Sequence, residues 1–434
     1  MGQQLKRNGD GAKAATIQRL IGTYGEVFPD GCIVELIGGP QGGNPRLLLW
    51  DGAKETMGPL IEFGGVKYEA AQFPESLLRE LKLPRQSRPH GTTRQLLVEI
   101  CKLVEDFAGL PATSASLVGR FVLCSWLVEA VQVAPALVLV GPNLMKANQL
   151  VTLLHCLCRH GLRMTGLTPA GLRALPSGAR FTFLISQPTI SDRLEALLDD
   201  ASHRDQKIPH RGGLLDLFGA QVIHTESIPA GDSLSYRSIV ILMIPGGAQL
   251  PVLDPDFQHR ITEDFQAKLL NFRRANLRLA RNLQFDSSKF VLPLRSLAHA
   301  VVAATPDDAG LQAEVLDLLR EKDDEILAER WTALRSIAIA ALLVAGHDSP
   351  GEVVYVSELA TIGQEVLKRR GDNSAIDPGA FGRQLKSLGF RTEPRDAKGI
   401  KLRMSEDVCR RAEQLARDFA VPQMEDAERT GPQA

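Results

Sequence analysis

Several features that indicate a function class are missing from this sequence. No pair of its six cysteines has the CxxC spacing typical of zinc or redox sites, and their apolar surroundings predict buried free thiols in a reducing cytosol. No run reaches the ~18 consecutive apolar residues that a membrane span requires, and the first residues contain no signal-peptide apolar segment. We therefore expect a cytoplasmic protein with no membrane partner.

An excess of either charge is also missing. The 50 Lys and Arg residues against 51 Asp and Glu residues give a formal net charge of −1. Binding to nucleic acid would therefore need a local basic patch, because overall charge supplies no attraction.

The length of 434 residues predicts two to four domains with ample hydrophobic cores. Composition and apolar periodicity divide the chain into seven segments. They are a disordered lead-in (1–15), a small β-rich module (16–75), a helical segment (76–134), an α/β core (135–250), a helical region (251–330), a C-terminal domain (331–420) and a disordered tail (421–434). In the module, the glycine pair Gly64-Gly65 predicts a hairpin between Leu60–Phe63 and Val66–Ala70.

The stretch from residue 135 to residue 159 has the layout of a phosphate-binding loop. A buried strand at 137–140 leads into a turn that begins at Gly141, and an apolar helix follows from about Lys146. A working loop of this kind needs a second glycine for close backbone approach, a lysine for the phosphate charge and a Ser or Thr hydroxyl for Mg²⁺.

Those three residue types are absent from the required positions. By spacing, Lys146 occupies the glycine position, Ala147 the lysine position and Asn148 the Ser/Thr position. In a loop one residue shorter, Lys146 would occupy the lysine position, but Met145 would then replace the glycine and Ala147 the hydroxyl. Either alignment removes most of a nucleotide cradle.

Strand and helix patterns alternate from residue 135 to residue 243, which predicts a parallel sheet with crossover helices. The predicted strands are 137–140, 162–166, 181–185, 220–224 and 238–243. A nucleotide hydrolase of this layout needs Asp-Glu after the third strand, to hold Mg²⁺ and to activate water. This sequence has Ser186-Gln187, which brings neither a charge nor a proton acceptor and disfavours hydrolysis.

Three segments carry a resemblance to a known family, and they are VEAVQVAPALVLVGP, LTPAGLRAL and GDSLSYRSIVILM. They resemble the helicase-like P-loop ATPases (AAA+/RecA-like) of phages, plasmids and integrated elements, over residues 110–345. The resemblance implies that Arg237 lies near a nucleotide site or a subunit interface, and that the protein belongs to replication or mobile-element biology. The candidate nucleotide-binding residues are Gly141, Lys146, Asn148 and Arg237.

A basic stripe is predicted on the helix of residues 257–280. Arg274, Arg278 and Arg281 follow one another at i, i+4 and i+7 and so share one face. This stripe either contacts phosphates or is an ordinary solvated helix face.

The C-terminal domain has the order helix, strand, helix, helix, two-strand ribbon and helix, which is that of a winged helix-turn-helix. Asp377 is the predicted cap of the recognition helix, and the ribbon is predicted to pair residues 390–395 with 400–404. Seven Lys and Arg residues between Arg383 and Arg403, against two acidic residues, indicate phosphate contact. The predicted DNA-binding residues are Arg383, Gln384, Lys386, Arg391, Arg395, Lys398, Lys401 and Arg403. A winged helix used for protein–protein contact is the alternative.

Together these observations predict an α/β protein with a P-loop NTPase-like core and a C-terminal winged helix. The function they favour is DNA binding by a protein of replication or mobile-element type whose ATPase-like scaffold does not hydrolyse nucleotide. One alternative is an active DNA-dependent ATPase or helicase that uses Lys146. Another is a regulatory subunit that co-assembles with an active ATPase and donates Arg237. No cofactor is expected unless the altered loop still binds nucleotide, in which case ATP and Mg²⁺ would bind there. The same resemblance also allows a homo-oligomer.

Overall fold

The computed structural model describes residues 20–40, 43–226, 234, 237–244, 250–419 and 421. The predicted lead-in (1–15) and all but one residue of the predicted tail (421–434) lie outside the described residues. Backbone contacts divide the chain into two compact units. The first comprises Met1–Gly231, Ile239–Leu283 and Ala303–Asp308, and the second comprises Asp232–Ser238, Gln284–Val302 and Ala309–Ala434.

The first unit begins with two small antiparallel-rich sheets. Their strands are β1 (Leu20–Thr23), β2 (Gly25–Val27), β3 (Ile33–Ile37), β4 (Arg46–Trp50), β5 (Glu55–Gly58), β6 (Leu60–Phe63) and β7 (Val66–Ala70). The strand orders are β1-β7-β6 and β2-β3-β4-β5. The predicted hairpin is confirmed, with Phe63 opposite Val66 and positive φ at both Gly64 (+60°) and Gly65 (+77°). Glycine has no Cβ and adopts that conformation at both positions without strain.

Three helices follow the module: α1 (Glu75–Glu80), α2 (Thr93–Ala108) and α3 (Ala112–Trp126). Thr92 caps α2 reciprocally with Gln95. The Thr92 hydroxyl accepts the Gln95 N–H at 3.1 Å, and the Gln95 side-chain oxygen accepts the Thr92 N–H at 3.0 Å. This capping box explains why α2 begins at this point.

The centre of the first unit is a five-stranded sheet of order β14-β8-β13-β10-β9. Its elements are β8 (Ala136–Val140), α4 (Leu144–Leu157), β9 (Gly161–Thr165), α5 (Pro169–Arg173), β10 (Thr182–Ser186), α6 (Asp192–Ser202), β13 (Gln221–Thr225) and β14 (Ser238–Leu242), with a short hairpin of β11 (Ile208–His210) and β12 (Gly213–Leu215) before β13. The pairs β8–β13, β13–β10 and β10–β9 are parallel. All five predicted strands are confirmed to within one residue at each end, and the sheet is consistent with a P-loop-like core.

A long helix, α7 (Pro255–Arg281), completes the first unit and starts at an Asp254 cap. Its Arg273 side chain is fully buried and donates to Glu35 of β3 at 2.8 Å and to Glu129 at 2.7 Å. Arg159, which follows α4, donates to the same two carboxylates at 2.8 and 3.0 Å. This buried four-residue network joins the N-terminal strands to the parallel sheet and to α7.

The second unit contains α8 (Leu292–Ala303, whose last residue is counted with the first unit), α9 (Ala309–Thr332), α10 (Leu334–Asp348), β15 (Val353–Tyr355), α11 (Val356–Arg369), α12 (Pro378–Ser387), β16 (Lys401–Arg403) and α13 (Glu406–Asp418). Its core includes Ile337, Leu359, Phe381 and Leu402. Gly363 permits close packing here, because an added Cβ would lie 2.9 Å from the Phe381 ring and 3.0 Å from Ile337.

The predicted two-strand ribbon of this unit differs from the structure. Residues 390–395 form no strand and contribute a single bridge, Glu393 to Lys401. Instead β16 pairs antiparallel with β15, with Val354 opposite Leu402. Pro394 follows the bridging residue and has no N–H to continue the ladder, which explains why the ribbon ends there.

Candidate nucleic-acid interface

The helix α12 presents one apolar face to the core and one cationic face to solvent. Asp377 caps it, accepting the N–H groups of Gly379 and Ala380 at 3.1 and 2.9 Å. Phe381 and Leu385, at i and i+4, are fully buried, whereas Arg383 and Lys386 are exposed. The helical period therefore places both cations on the solvent side.

A segment that we call the basic arm, residues 391–400, connects α12 to β16. Asp396 holds its turn, accepting the N–H groups of Lys398 and Gly399 at 2.9 and 3.1 Å. The same carboxylate accepts the Tyr355 hydroxyl at 3.3 Å and lies 3.4 Å from the Lys401 ammonium. The backbone hydrogen bond from Lys398 is the main cause that lowers the pKa of Asp396. The turn is therefore attached to β15 and β16.

The seven predicted cations fall into two groups. Three have a carboxylate within 4 Å: Lys401 beside Glu393 and Asp396, Arg403 beside Glu393, and Arg383 beside Asp377. The other four are exposed and have no such partner in the described part of the chain; they are Lys386, Arg391, Arg395 and Lys398. We call these four the free cations. Sequence counting cannot separate the two groups, because pairing depends on the fold of the arm.

The eighth predicted residue, Gln384, bonds to a neighbour on its own helix. Its side-chain N–H donates to the Ser387 hydroxyl at 3.0 Å, and that hydroxyl donates to the Gln384 carbonyl oxygen at 2.8 Å. Between α12 and the basic arm lies a shallow groove of about 150 Å³. It is lined by Val356, Pro378, Gly379, Gly382, Arg383, Lys386, Thr392 and Ile400.

The three arginines of the predicted stripe on α7 contact the N-terminal sheets. Arg274 pairs with Glu55 and lies 4.0 Å over the Trp50 ring, and burial lowers its pKa. Arg281 donates to the Phe28 carbonyl oxygen at 3.1 Å, and the Arg278 side chain lies against Gly31. Their predicted role in phosphate contact stays a prediction.

The segment predicted to be an altered phosphate loop makes contacts of its own. Gly141 has φ +133°, and a Cβ there would lie 2.7 Å from the Met243 carbonyl oxygen. The Asn143 side chain accepts the Lys146 N–H at 3.1 Å and thereby caps α4, at the helix end where a phosphate would be cradled. The Lys146 ammonium donates to the Gly109 carbonyl oxygen at 3.2 Å. In a working loop, the backbone N–H at the start of the helix and the lysine ammonium would instead bind the phosphates of the nucleotide.

The carboxyl ends of the neighbouring strands carry neutral polar groups. The Ser186 hydroxyl lies 2.9 Å from His224 Nδ1, at the ends of β10 and β13. Burial lowers the pKa of His224, and the Gly141 backbone opposes that shift only in part. Sequence reasoning did not single out His224, although a polar residue ending a buried strand next to the loop strand is a recognisable signal. Ser186 and Asn148 both line a groove of about 300 Å³.

Arg237, assigned by resemblance, is buried immediately before β14, with 6% of its surface exposed. In the described ranges, no group of three or more His, Cys, Asp or Glu side chains is arranged to hold a metal ion. Nor does any helix in the described residues have the length and apolarity to cross a bilayer.

No family model and no curated protein matches this sequence. Among solved structures, two apo A-form structures of the NrS-1 C-terminal region are similar at 13% and 12% identity, with TM-scores of 0.33 and 0.36. Each match covers 85% of this chain and 96% of that one. The Drosophila ORC bound to DNA is similar at 14% identity and a TM-score of 0.19, over 76% of this chain and 95% of the other. TM-scores this low do not establish a common function.

Proposed function

We propose that this chain is a DNA-binding protein of replication or mobile-element type. In this proposal, the segment from α10 to α13 is a winged helix that contacts DNA, and the α/β unit is a P-loop ATPase-like scaffold that does not hydrolyse nucleotide. The observation that carries the proposal is the set of four free cations on α12 and the adjoining basic arm.

The free cations are suited to contact phosphates. A surface cation that already has a carboxylate partner must give up that pair to bind a phosphate, whereas a free cation does not. Each phosphate neutralised on duplex DNA releases counterions and contributes about −0.9 to the slope of log K against log salt. Four contacts therefore predict a slope of about −3.6 for a protein whose net charge is only −1.

The absence of hydrolysis is supported by the chemistry of the loop and of the third strand. Hydrolysis needs a positive charge at the transferred phosphate, a carboxylate to hold Mg²⁺ and a group that orients or activates water. Lys146 donates to Gly109, and Ser186 and Gln187 stand where the two carboxylates are needed. The first two requirements therefore lack their usual residues, and at the third an amide replaces the carboxylate that would accept a proton from water.

The experiment is a comparison of two quadruple variants of the full chain with the wild type. In the first variant the free cations are removed by Lys386→Ala, Arg391→Ala, Arg395→Ala and Lys398→Ala. The control carries Lys54→Ala, Arg193→Ala, Arg211→Ala and Lys289→Ala, which change the net charge equally at exposed positions elsewhere. Binding to a fluorescent duplex of about 20 base pairs is measured by anisotropy between about 50 and 200 mM salt.

We expect the first variant to lose about 3.6 units of salt slope and the control to keep the wild-type slope. Equal slopes in the wild type and the first variant would overturn the proposal. So would failure of the wild type to bind the duplex at about 50 mM salt, where phosphate contacts are strong.

A further inference from the structure

The face of α12 that would enter a DNA groove offers few groups able to read a base. Reading a base edge requires a donor or acceptor that is uncommitted, or a bidentate side chain of the right geometry. In winged-helix docking such groups would come from the exposed positions of this helix. The exposed or half-exposed side chains that carry polar atoms are Arg383, Gln384, Lys386 and Ser387.

The side chains of Gln384 and Ser387 are hydrogen-bonded to their own helix. One amide N–H of Gln384 donates to Ser387 Oγ, and Ser387 Oγ donates to the backbone carbonyl oxygen of Gln384. The bidentate amide contact with adenine, which is the usual role of a glutamine on such a helix, needs the amide oxygen and one N–H turned towards the base. The Ser387 bond occupies one of the two amide N–H groups and holds the side chain along its own helix, so that contact must be made in this orientation or at the cost of this bond.

Arg383 is also engaged, since its guanidinium lies 3.7 Å from the Asp377 carboxylate that caps the helix. That leaves Lys386, a flexible point charge that can reach guanine but lacks the fixed fork with which an arginine orients on it. Toward the start of the helix, Gly379 and Gly382 have no side chain at all, and they line the groove beside the basic arm.

The glycines and cations of α12 are suited to contact the sugar–phosphate backbone of DNA. Without side chains at Gly379 and Gly382, an approaching DNA backbone meets the helix surface directly, at a groove whose lining includes Arg383 and Lys386. Arg391, Arg395 and Lys398 extend the positive charge along the arm. Contacts to phosphates set the position of a protein on a duplex without reading its sequence.

We propose that this interface binds duplex DNA through its sugar–phosphate backbone and does not discriminate base sequence. This inference rests on the proposed function and adds the class of target to it. It requires that different sequences of one length bind with similar affinity and the same salt slope.

The test uses the full-length protein and a set of unlabelled duplexes of equal length and composition but shuffled sequence, competing against one labelled duplex. We expect all competition constants to agree within about tenfold, because no base contact distinguishes the sequences. A single good base contact is worth about 5- to 150-fold, so several together would exceed that limit. We also expect the variant with Gln384→Ala and Ser387→Ala to change the affinity for every duplex by one common factor, so that the ratios between sequences stay those of the wild type.

A duplex that binds more than about tenfold tighter than its shuffled counterparts would overturn this inference. So would loss of affinity for one sequence but not the others in the Gln384→Ala, Ser387→Ala variant. Both results would leave the proposed function intact, because DNA is still bound. Failure to bind any duplex would instead overturn the proposed function, and this inference with it.

Discussion

The carboxylate of Asp377 lies 3.7 Å from the guanidinium of Arg383 while it also caps the helix that carries that arginine. The backbone hydrogen bonds from Gly379 and Ala380 lower the pKa of Asp377, and the charge of Arg383 adds to the effect. One side chain therefore stabilises α12 and reduces the charge of the candidate interface.

Replacing Asp377 separates those two effects. In Asp377→Asn the helix keeps its cap, because asparagine caps as well as aspartate does, but Arg383 loses its charged partner. We expect the salt slope of DNA binding to steepen by about 0.9, measured by anisotropy, while the denaturant midpoint stays unchanged. Asp377→Ala is the matched control, since it also frees Arg383 but removes the cap at a cost of about 0.5–2 kcal/mol. A slope in Asp377→Asn identical to the wild-type slope would show that Arg383 does not contact phosphate.

Lys398 on the basic arm and Lys401, the first residue of β16, form a second matched pair, three residues apart. Lys398 is exposed and free, whereas Lys401 lies 3.4 Å from Asp396 and 3.7 Å from Glu393. We expect Lys398→Ala to flatten the salt slope by about 0.9 and Lys401→Ala to change it by much less. The measurement is a salt titration of each single variant against the same duplex. An equal loss in both would mean that the ion pairs of Lys401 have no influence on phosphate contact.

The position of Lys146 gives a prediction about nucleotide. Because its ammonium donates to the Gly109 carbonyl oxygen, Lys146→Ala should remove one exposed hydrogen bond and nothing that acts on ATP. We expect no phosphate release from ATP and Mg²⁺ by either protein, with or without DNA, and equal binding of a fluorescent ATP analogue by both. DNA-stimulated phosphate release that disappears in Lys146→Ala would identify an active ATPase and contradict the proposed scaffold.

The buried network around Glu35 predicts a large effect on stability. Burial by itself would raise the pKa of Glu35, but Arg159 and Arg273 outweigh it and hold the pKa far below its usual range. Removing one partner of a buried ion pair costs about 3–5 kcal/mol, so Glu35→Ala should lower the free energy of unfolding of the first unit by that amount. Urea unfolding followed by tryptophan fluorescence measures it, in a Trp331→Phe background so that Trp50 and Trp126 of the first unit report.

The same network makes stability depend on pH. The pKa of Glu129 falls from 4.5 to about 2, because Arg159 and Arg273 again outweigh burial. A lowered pKa contributes stability that is present above the ordinary value and is lost as pH falls through the folded value. We expect the first unit to lose stability between about pH 4.5 and pH 2, and Glu35→Ala to lose less over that interval. A wild-type unfolding midpoint that does not change over this range would contradict the assignment.

The parallel sheet was predictable to within one residue at each strand end because most of its strands are largely apolar runs between crossover helices. The strand β8, for example, is buried at all five positions. The cap at Asp377 and the turn at Gly64-Gly65 were predictable for a similar reason, since a local backbone requirement selects the residue type. The β11–β12 hairpin was missed because two three-residue strands carry too little periodicity.

What the sequence by itself determined is therefore local: the strands, the helices, their caps and the glycine turns. Only the tertiary structure decided which charges have partners. Arg274 meets Glu55, 219 residues away, and Glu35 meets Arg273, 238 residues away, and no pattern along the chain encodes those distances. On the basic arm, the turn at Asp396 brings a carboxylate to Lys401 and leaves Lys398 free. Charge pairing depends on approach in space, whereas periodicity describes only neighbours along one helix or strand.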